Sequence, residues 1–156
     1  MRTDKFAEDM SKVLGRLHPT VNWKCPWCPK EGDQSEHVDL AGTHKKTGRQ
    51  FLIEVELRRK NPVGNVVKVW RWFEDNRLNP RPVLFQAFSK YYVKHKNHRR
   101  SAEFIGREKL GKQTEVRYYP LDLSYNPAKH GKIGGRRRQI HAEQLARKIS
   151  RFLKRG

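Results

Sequence analysis

The chain has 156 residues, which is enough for one domain with a hydrophobic core and too few for two ordinary domains. It carries 35 Lys and Arg against 16 Asp and Glu, and this formal net charge of +19 favours a polyanionic partner, of which nucleic acid is the commonest. No run of about 18 apolar residues occurs, which excludes a transmembrane helix, and we expect no membrane association. The amino terminus lacks the apolar core of a signal peptide and there are only two cysteines, so we expect a cytoplasmic protein with reduced thiols.

The first third of the chain is predicted to form a helix, a loop and a β-hairpin. Apolar residues recur at helical spacing over residues 3–17, and a loop rich in Pro, Trp and Cys follows over residues 18–36. Residues 37–44 and 50–57 predict two strands, which pair antiparallel across a turn that has Gly48 at its tight position.

The middle of the chain is predicted to add a second helix and a central strand. Residues 65–76 have the apolar spacing of a helix, which places Trp70 inward and leaves Trp72 at the surface. Residues 82–89 are apolar on both faces, as expected for a strand in the centre of a sheet.

The last third is predicted to hold a basic loop, a strand and two helices. The basic loop begins at residue 90 and becomes a helix over about residues 101–110. Residues 114–123 predict a strand, and Pro120 favours an edge position because proline cannot donate a ladder hydrogen bond. A strongly basic amphipathic helix ends the chain. Its apolar stripe consists of Ile140, Leu145, Ile149, Phe152 and Leu153.

This order of elements predicts an α/β fold, in which a mixed central sheet of about four strands is flanked by helices. The predicted organisation is an α/β core over residues 1–123, with the Cys-containing loop at 18–36 inside it. Residues 124–156 would add a basic loop and the amphipathic helix.

Two acidic residues interrupt the second strand of the hairpin. Glu54 and Glu56 are two residues apart, so their side chains share one face of the strand. If the hairpin strands pair, Asp39 converges with them, and three carboxylates with the backbone carbonyl of Val55 form an oxygen-rich site suited to Mg²⁺ or Mn²⁺. The alternative is an ordinary solvated face, on which neighbouring arginines pair with the two glutamates.

The segments HVDL, FLIEVELRRK, NVVKVWRWFEDN and PVLFQAFS together resemble the restriction-endonuclease-like superfamily, the PD-(D/E)XK nucleases, over residues 3–123. The resemblance implies a mixed sheet flanked by helices and a metal-dependent site. It also implies that Asp39 is the Asp of the family signature and Glu54 its first acid. Some members carry a further Glu on the first core helix, which would be Glu8 here.

The sequence departs from the family signature at two positions. Val38 stands where the family often has Pro, and Glu56 stands where it usually has the Lys that orients or deprotonates the attacking water. Glu56 would then act as a metal-bound group or general base, or Lys68 on the following helix would reach the site and replace the missing cation. Loss of activity is the remaining alternative.

The two cysteines form a Cys-x-x-Cys motif at Cys25 and Cys28, which is half of a tetrahedral zinc site. A structural Zn²⁺ would need further ligands, either from a dimer partner or from the histidines of this chain, His18, His37 and His44. Two reduced structural cysteines and a redox pair are the alternatives.

Two basic segments are candidates for nucleic-acid binding. The run KYYVKHKNHRR interleaves aromatic rings with cations, and a solvated loop is its alternative. The second segment is RRR at residues 136–138, which begins the last helix. The alternative function of this helix is to form a homodimer through its apolar stripe. The candidate phosphate-binding residues are Lys94, Lys96, Arg99, Arg100, Arg136, Arg137 and Arg138.

These features predict a Mg²⁺- or Mn²⁺-dependent DNA endonuclease that hydrolyses phosphodiester bonds, with Asp39, Glu54, Glu56 and Lys68 as its catalytic residues. One alternative is a module that binds nucleic acid without cutting it, on an inactive nuclease fold. The other is an RNA- or ribosome-associated protein that uses the cysteines for zinc.

Overall fold

A five-stranded mixed β-sheet with helices on both faces forms the core of the protein, as seen in a computed structural model that describes residues 3–29, 36–127 and 135–155. The predicted α/β class is confirmed, with one strand more than expected. The strands, in the spatial order in which they also follow one another along the chain, are β1 (Val21–Lys24), β2 (Leu40–His44), β3 (Gln50–Glu56), β4 (Val83–Phe88) and β5 (Arg117–Asp122).

Six α-helices and one π-helical segment accompany the sheet in the described parts of the chain. The α-helices are α1 (Thr3–Leu17), α2 (Val63–Glu74), α3 (Tyr91–Lys94), α4 (Lys96–Phe104), α5 (Gly111–Gln113) and α6 (Gly135–Lys154). The π-helical segment, Ile105–Leu110, joins α4 to α5. None of these helices combines the length and the apolar character that a membrane crossing requires.

Strand direction changes at β3, and this change decides which strand ends meet. The strands β1, β2 and β3 pair antiparallel, whereas β3, β4 and β5 pair parallel. The carboxyl ends of three strands therefore lie at one edge of the sheet, where ligands commonly bind in open α/β sheets. Every residue of β4 is buried, and β5 with Pro120 lies at the edge, so both predicted strand positions are confirmed.

Two segments differ from their predicted structure. The predicted loop 18–36 contains β1, which pairs with β2 because Val21 turns into the core while Asn22 and Lys24 face solvent. The predicted basic loop from residue 90 is helical as α3 and α4. The helix α3 is held against the sheet by Tyr92, which is buried against Phe88 with ring centroids 5.2 Å apart. This contact anchors an otherwise polar segment.

The face that α2 turns to the sheet is also different. Its buried residues are Asn65, Val66, Lys68, Val69 and Trp72. The predicted inward Trp70 is only partly buried, and Trp72, predicted at the surface, is 1% exposed. The buried stripe of α2 is therefore rotated by about one residue position from the predicted stripe, because it includes the polar residues Asn65 and Lys68.

The C-terminal helix belongs to the same core as the sheet. Leu145 and Ile149 of α6 pack with Met10 and Leu14 of α1 in the cluster that covers one face of the sheet. Those two residues of the predicted stripe are therefore used within the chain and are not available to a dimer interface, whereas Ile140 is exposed. Most of the predicted loop before this helix lies outside the described residues.

Candidate functional site

Asp39 and Glu54 line one cleft at the carboxyl edge of the sheet. Asp39 comes directly before β2, and its Oδ2 accepts a hydrogen bond of 2.7 Å from the backbone N–H of Val55. Glu54 lies near the end of β3 and is 4% exposed. The cleft has a volume of about 440 Å³, and its lining includes His37, Asp39, Glu54, Arg59, Asn65 and Lys68.

The backbone carbonyl of Val55, between the two glutamates, adds another oxygen donor near Asp39 and Glu54. The N–H and C=O of one strand residue point to the same side of the strand. Since the Val55 N–H points to Asp39, the Val55 carbonyl lies on that side as well. The two carboxylates and this carbonyl are hard oxygen donors, which suit a divalent cation such as Mg²⁺.

Lys68 reaches the cleft from α2 and pairs with Glu54. Its Nζ lies 3.0 Å from Glu54 Oε1, 2.7 Å from the His37 carbonyl oxygen and 3.1 Å from Asn65 Oδ1. The ammonium group has three donors, and these three acceptors use all of them. Its Nζ also lies over the ring of the buried Trp72, 5.6 Å from the ring centroid, which is a cation–π contact.

Glu56 lies behind the cleft rather than in its wall. It is 1% exposed, and its two carboxylate oxygens accept hydrogen bonds of 3.0 and 2.9 Å from Asn65 Nδ2. Gln86 Nε2 donates a third hydrogen bond, of 2.6 Å. The alternative of a solvated acidic face is thus wrong, because both Glu54 and Glu56 are buried among polar partners.

A chain of hydrogen bonds connects Glu56 to β5, the edge strand of the sheet. The Tyr118 hydroxyl donates to Gln86 Oε1 at 2.6 Å, and the amide of Gln86 donates in turn to Glu56. Gly106 of the π-helical segment makes room for this tyrosine, since a Cβ at Gly106 would lie 2.4 Å from the Tyr118 ring. Through Asn65, which contacts both Glu56 and Lys68, the chain fixes the position of the cleft lysine.

All three acidic groups are held in environments that oppose their ionisation. Burial, followed by the nearby Asp39 carboxyl, raises the pKa of Glu54 to about 8 against the opposing effect of the Lys68 ammonium. Burial also raises the pKa of Asp39, although the Val55 N–H acts against it, and raises that of Glu56 despite its amide partners. Such elevated carboxyl pKa values in a cleft are typical of functional sites.

We expect the stability of the metal-free protein to fall as pH rises from about 4.5 to about 8. In this window the folded state keeps a proton on Glu54 that the unfolded chain has released, so the free energy of unfolding decreases with pH. The shift of Glu54 corresponds to a loss on the order of 5 kcal/mol. Denaturant unfolding in the presence of chelator, at pH 5, 6, 7 and 8, measures the slope.

The Glu54→Gln variant is the matched comparison for this slope. Gln keeps the shape of the side chain and its acceptor for Lys68 but has no proton to release. Its stability should therefore fall less steeply with pH than that of the wild type, and Asp39 and Glu56 should account for the slope that remains. Identical slopes for the two proteins would contradict the assignment of the raised pKa to Glu54.

The helix-1 acid implied by the family resemblance lies elsewhere. Glu8 is exposed on α1, and α1 packs on the sheet face of Phe51 and Ile53, opposite the face of Glu54. Its charge instead acts on Cys25. The structure therefore does not bring Glu8 to the cleft.

The two cysteines are unbridged thiols, each partly buried. Burial, together with the Glu8 carboxylate, raises the pKa of the Cys25 thiol above its usual range. The candidate zinc ligand His18 contacts Ser150 Oγ at 2.7 Å, and Nδ1 of His44 accepts two backbone N–H groups of its own turn. Among the described residues, no three His, Cys, Asp or Glu side chains gather as a metal site, and structural zinc stays a prediction.

The predicted phosphate-binding residues divide into paired and exposed ones. Arg99 pairs with Asp122 at 2.6 Å, and Arg138 pairs with Asp9 at 2.7 Å, so the charges of these two arginines are matched within the chain. The other five are exposed: Lys94, Lys96, Arg100, Arg136 and Arg137.

Sequence reasoning missed Asn65 and Gln86, the two amides that hold Glu56. Gln86 carried a signal, because it interrupts the apolar residues 83–88 of a strand predicted to be buried on both faces. A buried amide needs hydrogen-bond partners, and a strand-borne glutamate one strand away supplies one. Asn65 gave no comparable signal, because asparagine is common at the start of a helix.

No family model matches the chain, and no curated protein or solved structure matches it either. The functional assignment therefore rests on the geometry of the cleft.

Proposed function

We propose that the protein is a metal-dependent nuclease that hydrolyses phosphodiester bonds in DNA. The observation that carries the proposal is the grouping of Asp39, Glu54 and Lys68 in one cleft, with the Val55 carbonyl on the side of Asp39. Two carboxylates and a lysine are the groups that the resemblance to the PD-(D/E)XK nucleases implies, with the lysine supplied by α2 instead of β3.

The donor set fits a divalent cation. Mg²⁺ is commonly held by one or two carboxylates, with water and substrate phosphate completing its shell, so Asp39 and Glu54 suffice without Glu56. Their crowding is the supporting observation, since Asp39 raises the pKa of Glu54 and a cation would relieve that repulsion. When bound, the cation would supply a Lewis acid for the phosphate and a water of lowered pKa.

The remaining groups of the cleft would position the substrate. The positive charge of the Lys68 ammonium would stabilise negative charge as it develops on the phosphate. Asn65 holds Lys68 in place, and Glu56 in turn holds Asn65. Glu56 thus has a positioning role in this proposal, rather than that of the general base.

DNA would approach across the basic side of the carboxyl edge. The Tyr92 hydroxyl donates at 2.7 Å to the Arg59 carbonyl, which joins α3 to the rim of the cleft. Lys94 and Lys96 project from this region, and Tyr91 stacks on His95 with centroids 4.0 Å apart. Cations next to partly exposed rings suit a phosphate backbone with accessible bases.

The start of α6 adds cations at the same edge. His141 contacts Ser124 at 2.7 Å, just beyond the carboxyl end of β5, and Arg137 lies one helical turn before it. The exposed cations of α3, α4 and α6 therefore lie towards the carboxyl ends of the strands, with α6 on the sheet face opposite the cleft.

The proposal is tested by a cleavage panel on duplex, branched and single-stranded DNA. We expect the wild-type protein to nick or cut at least one substrate with Mg²⁺ or Mn²⁺ and none with chelator, because the carboxylates need a cation to engage phosphate. Tight binding without cleavage of any substrate would instead indicate a module that binds nucleic acid without cutting it.

A further inference from the structure

A second hollow lies on the sheet face opposite the cleft, at the amino ends of the parallel strands. It is formed by the amino ends of β3, β4 and β5 and by the last turns of α6, and it has a volume of about 220 Å³. Phe51 in its wall is three residues from Glu54 along β3, about 10 Å, and points to the other face. This arginine hollow is named for three of its lining residues, Arg49, Arg117 and Arg155.

Aromatic side chains form the floor of the arginine hollow. The rings of Phe85 and Tyr119 stack with their centroids 5.6 Å apart and their planes 23° apart. Phe152 of α6 lies 4.7 Å from Tyr119 and 5.7 Å from Phe85. Because Tyr119 and Phe152 are only partly buried, the floor offers aromatic surface to a flat ring.

Positive charge is concentrated at the rim. Burial, followed by the guanidinium groups of Arg117 and Arg81, lowers the pKa of Arg49, so like charges are held close together here. Every charged residue among the described lining is an arginine. The nearby Glu115 lies outside the lining, and its Oε2 accepts the backbone N–H of Arg81 at 3.1 Å. An anion would relieve this repulsion, and arginine is well shaped to bind phosphate.

We propose that the arginine hollow binds a nucleotide, with the base on the aromatic floor and the phosphate among the arginines. The hollow is smaller than the roughly 300–1,000 Å³ of pockets that enclose a drug-sized ligand, so it accommodates one base rather than a longer segment. The nucleotide is either free or the 5′-phosphorylated end of a strand, since both present the same chemistry. This site is separate from the carboxylate cleft and does not depend on its activity.

The test is calorimetric titration of the full chain in chelator, which prevents metal-assisted binding in the cleft. The probes are deoxyadenosine 5′-monophosphate, deoxyadenosine and inorganic phosphate. We expect the mononucleotide to bind at least about tenfold more tightly than either fragment, because only it uses both the floor and the rim.

Variants assign the binding to the hollow. Arg117→Gln, at an exposed position that should not affect folding, is expected to weaken binding about tenfold. Phe152→Leu should weaken it several-fold by removing a ring of the floor. Arg16→Gln removes the same charge from α1 outside the hollow and should bind like the wild type.

Oligonucleotides distinguish the two sources of the ligand. A 5′-phosphorylated strand that competes with the mononucleotide better than its unphosphorylated counterpart identifies a strand end, and equal weak competition by both strands identifies a free nucleotide. Two results would overturn the proposal. One is equal affinity of wild type and Arg117→Gln for the mononucleotide, and the other is phosphate binding as tight as mononucleotide binding.

Discussion

Replacing Glu54 by Gln should reduce DNA cleavage about a thousandfold, which corresponds to roughly 4 kcal/mol of transition-state stabilisation. The substitution keeps the shape of the side chain and an acceptor for Lys68, which lies 3.0 Å from Glu54 Oε1. It removes the charge with which the cleft would hold a divalent cation. DNA binding should persist or become tighter, because less negative charge would face the phosphates.

The control for this experiment is the same substitution at a carboxylate outside the cleft. Glu108→Gln changes a partly exposed glutamate that pairs with Lys112, and it should cut DNA at the wild-type rate. Asp39→Asn should behave like Glu54→Gln, because Asp39 lines the same cleft. A Glu54→Gln protein that cuts as fast as the Glu108→Gln protein would remove Glu54 from the site.

Replacing Lys68 by Met should reduce the cleavage rate about a hundredfold at saturating DNA and metal. Met fills the space of the lysine stem but has no charge with which to stabilise a phosphate. It also removes the cation that opposes the raised pKa of Glu54, so cleavage should require higher pH than in the wild type. Single-turnover rates between pH 6 and 9 measure both effects.

Lys60→Met is a suitable control for the lysine. Lys60 is exposed on the segment between β3 and α2, and its loss should weaken DNA binding without shifting the pH dependence of the rate. Lys68→Arg keeps the charge but exchanges a compact ammonium for a planar fork, so it should restore only part of the activity. An unshifted pH profile in Lys68→Met would indicate that Lys68 only supports the fold.

The fold was largely predictable because most of its elements carry a strong periodic pattern. The apolar stripe of α1 indicates a helix, and the two-sided apolar run of β4 indicates a central strand. The edge position of β5 follows from Pro120. The strand β1 was missed because it has four residues, of which only Val21 is fully buried. So short a segment has too little alternation to separate it from a loop.

The site was only partly predictable. The pairing of its two acidic residues follows from the hairpin, whereas the position of its lysine depends on contacts between residues far apart in the sequence. The spacing of Asp39 and Glu54 suggested their meeting, since hairpin register follows from the sequence. The inward position of Lys68 did not follow from hydrophobic spacing, which treats every lysine as an outward residue. Its burial depends on Glu54 and on Asn65, which together satisfy a charge that would otherwise be costly to bury.

The placement of Glu56 shows the same limit. On the strand it shares a face with Glu54, and the alternation alone assigns both residues the same role. The amides of Asn65 and Gln86 separate them, because they hold Glu56 behind the cleft while Glu54 lines it. That distinction requires α2 and β4 to be packed in place.

The central claim, that Asp39 and Glu54 hold a divalent cation, is tested most directly by Mn²⁺ binding followed by electron paramagnetic resonance. The signal of free Mn²⁺ is measured as protein is added, for the wild type and for Glu54→Gln at pH 8, close to the raised pKa of Glu54. We expect one saturable site per chain in the wild type and at least tenfold weaker binding in the variant. Wild-type protein that binds no Mn²⁺, or a variant that binds it equally well, would contradict the claim.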